Sequence, residues 1–149
     1  MNIKTTYKEK GVSTFEAKQI INLLNTNEWS RPSKPYTVEE VLSEQDFFIA
    51  DDENNKVVGF LRLKKVQWYQ WELYNLVVDK QYRKSGIAQI LITSVKEYVS
   101  TQKGGIVQLT IDPENTASVN LFIKMGWKYA ISFIHPAYKK PYGVWNINL

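Results

Sequence analysis

The sequence predicts a mixed α/β fold, with a central sheet of about six to seven strands flanked by about four helices. Three observations lead there. The hydrophobic period changes between strand-like alternation and helical spacing along the chain. Two helix starts near the N-terminus carry the capping-box pattern, Ser or Thr followed three residues on by Glu. A helical stretch in the middle of the chain lies between two strands, and such a crossover is parallel and right-handed.

Taken in order, Asn2–Lys8 alternates weakly and reads as an edge strand. Ser13-Thr-Phe-Glu16 is the first capping box, and Ala17, Ile20, Ile21 and Leu24 behind it fall on one helical face. Pro32 and Pro35 interrupt the chain after this helix, and Thr37-Val-Glu-Glu40 opens a second, short helix. Phe47–Ala50, Val57–Val66 and Gln70–Val78 read as an antiparallel meander, with turns at the polar Asp51–Lys56 and near Trp68. Ile87, Ile90, Leu91, Val95 and Tyr98 then step at helical spacing through a helix from Lys84 to Ser100. Gly104-Gly105 ends that connection and Ile106–Ile111 is the next strand. Ala117, Leu121, Phe122 and Met125 mark a last helix, stopped by a left-handed Gly126, before strands at Trp127–Ile134 and Tyr142–Asn148.

The chain has 149 residues, the length of a single domain, and 1–149 is read as one. No apolar run is long enough to span a membrane. Lysines in Met1–Val12 have no apolar stretch behind them, so no secretory signal is expected and the chain is read as cytoplasmic. Cysteine is absent, which removes disulfides, zinc–thiolate sites and a Cys-acyl intermediate. His135 is the lone histidine, and no metal is expected. The net charge of +4 favours an anionic ligand. The cations are scattered rather than interleaved with aromatics along one element, so no nucleic-acid partner is expected.

The crossover strand enters its helix through Arg83-Lys84-Ser85-Gly86-Ile87-Ala88. Small residues at Gly86 and Ala88 let an anion approach the backbone. The N–H groups of a first helical turn have no acceptor within the helix, and the dipole is positive there. Arg83 and Lys84 add mobile charge beside them, so the segment is a diphosphate cradle in physical terms. Taken alone, the same pattern also suits a tight strand-to-helix turn that needs a small residue.

The stretch Trp71–Ala88 resembles the acetyl-CoA motif of the GNAT (Gcn5-related N-acetyltransferase) superfamily, a strand followed by a pyrophosphate loop. Asn115–Trp127 is similar to the second coenzyme A motif of that family, separated from the first by one helix and one strand as the family requires. The element order matches over almost the whole chain. The resemblance implies an N-acetyltransferase, an acyltransferase moving acetyl from acetyl-CoA to a primary amine. It implies that the backbone N–H groups of Arg83, Lys84, Ser85, Gly86, Ile87 and Ala88 hold the pyrophosphate. It implies that Leu76, Val77 and Val78 bond the pantetheine arm like an added strand. A bulge in that strand would part it from Leu109–Ile111, and an N–H of Leu76 or Val77 would polarise the acetyl carbonyl. Asn115 would contact pantetheine and Phe122 would pack near the thiol end.

Without cysteine, transfer must proceed by direct attack in a ternary complex. An amine with a pKa near 10 must first lose a proton. Glu72, on the strand leading to Leu76 and between Trp71 and Leu73, is the candidate base if those neighbours bury it. The other reading of Glu72 is a cross-strand surface charge. Phe122 stands where the family commonly has a tyrosine as general acid, so this chain lacks that hydroxyl. That loss keeps open a non-catalytic acyl-CoA-binding sensor or interaction domain. The acceptor, a small-molecule or protein amine, is expected against Trp29, Arg31, Lys34 and Tyr36, and against His135, Tyr138, Lys139, Lys140 and Tyr142 of the last hairpin. His135 beside Pro136 reads equally as a turn residue. The last strands, with Trp145 and Ile147, offer an apolar edge at which a second copy could pair as a homodimer.

Overall fold

In a computed structural model, residues 2–28 and 34–149 are described. The elements follow the predicted order: β1 (Lys4–Lys8), α1 (Thr14–Thr26), α2 (Val38–Leu42), β2 (Phe47–Asp51), β3 (Val57–Gln67), β4 (Gln70–Val78), α3 (Ile87–Thr101), β5 (Ile106–Ile111), α4 (Thr116–Lys124), β6 (Lys128–Ile134) and β7 (Pro141–Asn148). The seven strands form one mixed sheet in the order β1-β2-β3-β4-β5-β7-β6. The fold is therefore the predicted mixed sheet with four helices.

The capping chemistry holds at α1. Ser13 Oγ accepts from Glu16 N–H at 3.1 Å, and Glu16 returns its carboxylate to Ser13 N–H at 2.9 Å. At α2 only half the box forms: Thr37 Oγ1 accepts from Glu40 N–H at 3.2 Å, while the Glu40 carboxylate meets the Thr37 hydroxyl instead of its backbone. The expected helix from Lys84 begins later, at Ile87. Lys84 and Gly86 have φ of 63° and 85°, which no right-handed helix accepts.

The chain groups into two compact units. The first holds residues 1–63 and 75–95. Its core joins Ala17, Ile20, Leu23 and Leu24 of α1 to Val41, Phe47, Ile49, Val57, Phe60 and Val77. Gly59 on β3 is the close-approach point. A Cβ there would stand 3.1 Å from Ile87 Cγ2, 3.2 Å from the Val77 carbonyl oxygen and 3.4 Å from Leu91 Cδ1. The missing side chain thus lets α3 lie against the sheet.

The second unit holds residues 64–74 and 96–149. Within it β4 runs parallel to β5, with Gln70 opposite Ile106 and Glu72 opposite Gln108. β5 pairs antiparallel with β7, and β7 pairs antiparallel with β6. Trp145 and Ile147 therefore lie on an inner strand, and the edge expected of them belongs to β6. Gly105 joins α3 to β5 at φ 147°, where an added Cβ would collide with the Tyr69 carbonyl and stand 2.7 Å from the Trp71 ring. Gly105→Ala is expected to lower stability by about 2–3 kcal/mol, since both overpacking and φ strain oppose the methyl. A urea denaturation series of wild type and variant measures it.

Candidate functional site

β4 leaves the sheet through a short braced turn. Asp79 N–H bonds Val58 O at 2.8 Å, and its carboxylate accepts from Gln81 N–H at 2.9 Å to start one 3₁₀ turn, Lys80–Tyr82. The Tyr82 hydroxyl donates to Asp52 at 3.2 Å, and the Ser85 hydroxyl donates to the Tyr82 carbonyl. Hydrogen bonds from the N–H groups of Lys56 and Asn54 and from Tyr82 hold the Asp52 carboxyl below its ordinary range. The adjoining loop is exposed from Arg83 to Gly86, after a half-buried Tyr82. Lys84 and Gly86 are left-handed, and alternation of such residues with right-handed ones is how a backbone anion nest is built. Ile90 N–H makes the first α3 bond, to Gly86 O at 3.0 Å, so the N–H groups of Ile87, Ala88 and Gln89 have no acceptor within the helix. A Cβ placed on Gly86 would meet nothing within 4 Å, so open space lies before the loop. These residues fit a pyrophosphate.

Arg83 departs from its expected role. Its guanidinium grips Glu28, just beyond α1, through two N–H groups at 2.8 and 3.2 Å, and Lys80 stands 3.9 Å from the same carboxylate. The hydrogen bond from Arg83 leads in holding the Glu28 carboxyl below its usual range. The Arg83 side chain is thus a paired charge rather than a mobile one, while Lys84 remains exposed.

On β4, the pleat decides what surrounds Glu72. Trp71 and Leu73 are buried with 3% and 2% of their surface exposed, and Glu72, between them in sequence, points to the other face and is half-buried. Those neighbours do not bury the carboxylate as expected. Asn75, three residues on, has φ 54°, a left-handed residue inside a strand and an irregularity of the kind a bulge makes. Sequence reasoning did not single it out, although asparagine is among the side-chain-bearing residues that best tolerate that region. Beyond it Val77 joins the core, while Leu76 and Val78 are half-buried.

In the second unit Asn115 is the N-cap of α4, its side-chain oxygen accepting from Ser118 N–H at 3.3 Å. Phe122 is 1% exposed and lies edge-on to Trp127, with ring centroids 5.0 Å apart. The Trp127 indole N–H is buried without a hydrogen-bond partner among the described residues. His135 is a turn residue: its Nδ1 accepts from the N–H groups of Ala137 and Tyr138 at 3.1 and 3.2 Å. Its ring packs against Tyr138 and Tyr142, with centroids 4.4 and 4.6 Å away.

Two carboxylates that sequence reasoning passed over control the last hairpin. Lys140 Nζ stands 2.8 Å from Asp112 and 2.6 Å from Glu114, so the charge expected to face the acceptor is already neutralised. Those hydrogen bonds, Asp112 first, raise the Lys140 ammonium above its ordinary range. Burial alone would raise the Asp112 carboxyl, but the Lys140 hydrogen bond and the Glu114 N–H outweigh it and hold the group low. The Tyr142 hydroxyl is pushed up by burial and by Asp112. Tyr36 packs against the core of the first unit, its backbone clamped by Asn25 at 2.9 and 3.2 Å. Trp29 and Arg31 lie outside the described residues. Among the described residues no group of three or more His, Asp or Glu is placed to hold a metal ion, and no helix is long and apolar enough to cross a membrane.

Because the folded state holds Asp112 below its unfolded value, its stabilising contribution is full above about pH 4 and is lost as pH falls through the folded value. Asp112→Asn is expected to lower the urea midpoint at about pH 7 and to flatten part of the fall below about pH 4, compared with wild type by paired urea titrations.

A family model described as the acetyltransferase (GNAT) family matches residues 15–127. Solved structures share the fold over nearly the entire chain. Ard1 from Thermoplasma volcanium superposes with a TM-score of 0.85 at 14% identity, covering 100% of this chain and 99% of that one. The ribosomal-protein-S18-alanine N-acetyltransferase from Escherichia coli gives 0.78 at 14%, covering 99% and 94%. An aminoglycoside 6'-N-acetyltransferase complexed with coenzyme A gives 0.75 at 20%, covering 99% and 97%. No protein of curated function matches this chain significantly in sequence. The family model spans both the strand-to-helix loop at Arg83–Ala88 and the Asn115–Trp127 segment, and the chain belongs to the GNAT acetyltransferase family.

Proposed function

We propose that this chain is an acetyl-CoA-dependent N-acetyltransferase that acetylates a primary amine by direct attack. The observation that carries the proposal is the exposed loop with left-handed Lys84 and Gly86 at the start of α3, a backbone nest open on its outer side. The N–H groups of Arg83–Ala88 hold the pyrophosphate, and the backbone of Leu76, Val77 and Val78 takes the pantetheine arm. Asn115 and Phe122 contribute their contacts as the resemblance implies. Acetyl-CoA supplies the activated thioester.

This chain's residues supply the rest. Glu72 accepts a proton from the ammonium form of the acceptor, through a water where reach requires it, and the freed amine attacks the acetyl carbon. The Leu76 N–H donates to the carbonyl oxygen as charge builds there. The C–N bond forms, the C–S bond breaks, and the thiolate leaves to be protonated by water. A thiol with a pKa of about 8.5 leaves well enough near neutral pH that the hydroxyl missing at Phe122 costs about 2 kcal/mol. The acceptor is a small-molecule or protein amine met by Trp29, Arg31, Tyr36 and Tyr138. Amines of both kinds are named in similar structures, which include a ribosomal-protein N-acetyltransferase and a spermidine N-acetyltransferase. The same reading takes 1–149 as one catalytic domain, working in the cytoplasm.

A second reading, an acyl-CoA-binding sensor without turnover, is favoured by Phe122 alone, a buried ring with no hydroxyl to offer a leaving group.

Titration calorimetry with acetyl-CoA and with coenzyme A tests the binding step. Wild type is expected to bind both, and Gly86→Glu to weaken binding at least ~30-fold, about 2 kcal/mol, by placing a carboxylate in the nest. Absence of binding by wild type would overturn both readings. Turnover then separates them, by thiol release across a panel of amines. Glu72→Gln is expected to lower kcat by about 10²–10⁴-fold with coenzyme A affinity unchanged. An unaltered kcat and pH profile would remove Glu72 as the base.

A further inference from the structure

The two terminal strands of the sheet differ in how they are protected. β1, Lys4–Lys8, begins and ends on a lysine, and Lys8 pairs with Glu16 at 3.3 Å. Charged side chains of this kind deter another strand from adding to an edge. β6, at the opposite end of the strand order, carries a lysine only at its start and a bulge between Tyr129 and Ile131, so that Ile131–Ile134 has no such guard. After Lys128 it reads Tyr-Ala-Ile-Ser-Phe-Ile, six residues without a charge, and every residue of the strand is exposed. Tyr129, Ile131, Phe133 and Ile134 leave 55%, 64%, 38% and 62% of their surface open.

These side chains occupy both faces of the strand. Tyr129 packs edge-on to Trp145, and Phe133 packs against Tyr142. Trp145 and Tyr142 are three residues apart on β7 and so point to opposite faces. A register shift between Tyr129 and Ile131 brings Ile131 opposite Val144, on the face of Phe133. A surface apolar on both faces and bordered by the regular backbone edge of Ile131–Ile134 is matched by another strand, which continues the sheet and covers both faces at once.

We propose that β6 is a homodimer interface, pairing antiparallel with β6 of a second copy about a two-fold axis at Ser132. That register sets Ile131 opposite Phe133 of the partner copy twice over, a β-branched–aromatic pair. No charge falls between Tyr129 and His135 on either strand. Antiparallel pairing of a strand with itself is isologous and closes at two copies. The four large side chains expose on the order of 400 Å² together, about half of the ~800 Å² per partner in a standard interface. The backbone edge and the small side chains of Ala130 and Ser132 add to this. The inference is independent of the acetyltransferase reading.

The absence of cysteine makes the test direct. In the Ser132→Cys variant the only thiols are the two at the axis. Directly opposed antiparallel residues have Cα atoms about 4.5–5.5 Å apart, within the span of about 4.4–6.8 Å that a disulfide accepts. Mild oxidation is expected to give a covalent dimer on a non-reducing gel, while Asn54→Cys, on an exposed turn of the first unit, stays monomeric under the same conditions. Sedimentation of wild type is expected to show a dimer at micromolar concentration, and Ile131→Lys a monomer with an unchanged circular dichroism spectrum. A monomeric wild type would overturn the proposal, as would a Ser132→Cys variant that crosslinks no faster than Asn54→Cys. So would a folded Ile131→Lys that remains dimeric.

Discussion

How closely the first turn of α3 approaches β3 and β4 is the constraint on which the candidate site depends. Gly59 sets that distance, because any side chain there would meet Ile87, Leu91 and the Val77 carbonyl. With α3 seated on the sheet, the chain has only a few residues in which to leave β4, turn and begin a helix. It manages this with one 3₁₀ turn and two left-handed residues, Lys84 and Gly86. Holding a lysine in that region costs about 1 kcal/mol. The bracing contacts from Asp79, Tyr82 and Ser85 keep the turn in place. The outcome is an exposed loop with open space beside Gly86.

Charge is organised more tightly than the alternation of lysine and glutamate suggests. Arg83 is committed to Glu28, and Lys140 to Asp112 and Glu114. Arg62, 9% exposed, meets Glu44 at 2.6 Å and lies over the Phe47 ring, 4.9 Å from its centroid. Each of these pairs has an exposed member and so adds little net stability, while removing Glu44 takes an ion pair from the buried Arg62 guanidinium. Arg83 and Lys140, two cations that the sequence leaves open, are therefore each held by carboxylates.

The elements are legible in the sequence because each rests on local chemistry. A capping box, an alternating strand and a glycine stop depend on residues within one or two turns of each other, and their positions agree with the structure to within a few residues. The start of α3 is displaced because left-handed backbone at Lys84 is invisible to a hydrophobic period. Buried neighbours do not bury Glu72 because sequence adjacency is not contact: the pleat sends successive side chains to opposite faces. Asp112, Glu114 and Glu28 carry no local signal, since their partners lie 28, 26 and 55 residues away in the chain.

The sequence alone determined the element order, the two helix starts at Ser13 and Thr37, the small-residue loop at Gly86 and the absence of any thiol chemistry. All of these depend on residue type and short-range spacing. Tertiary structure decided which cations are neutralised, which face Glu72 takes, and that β7 inserts between β5 and β6 to leave β6 at the edge. The physical reason is the same in each case. Ion pairs, pleat direction and strand order are set by which distant segments meet, and packing chooses among pairings that local propensity leaves equally open.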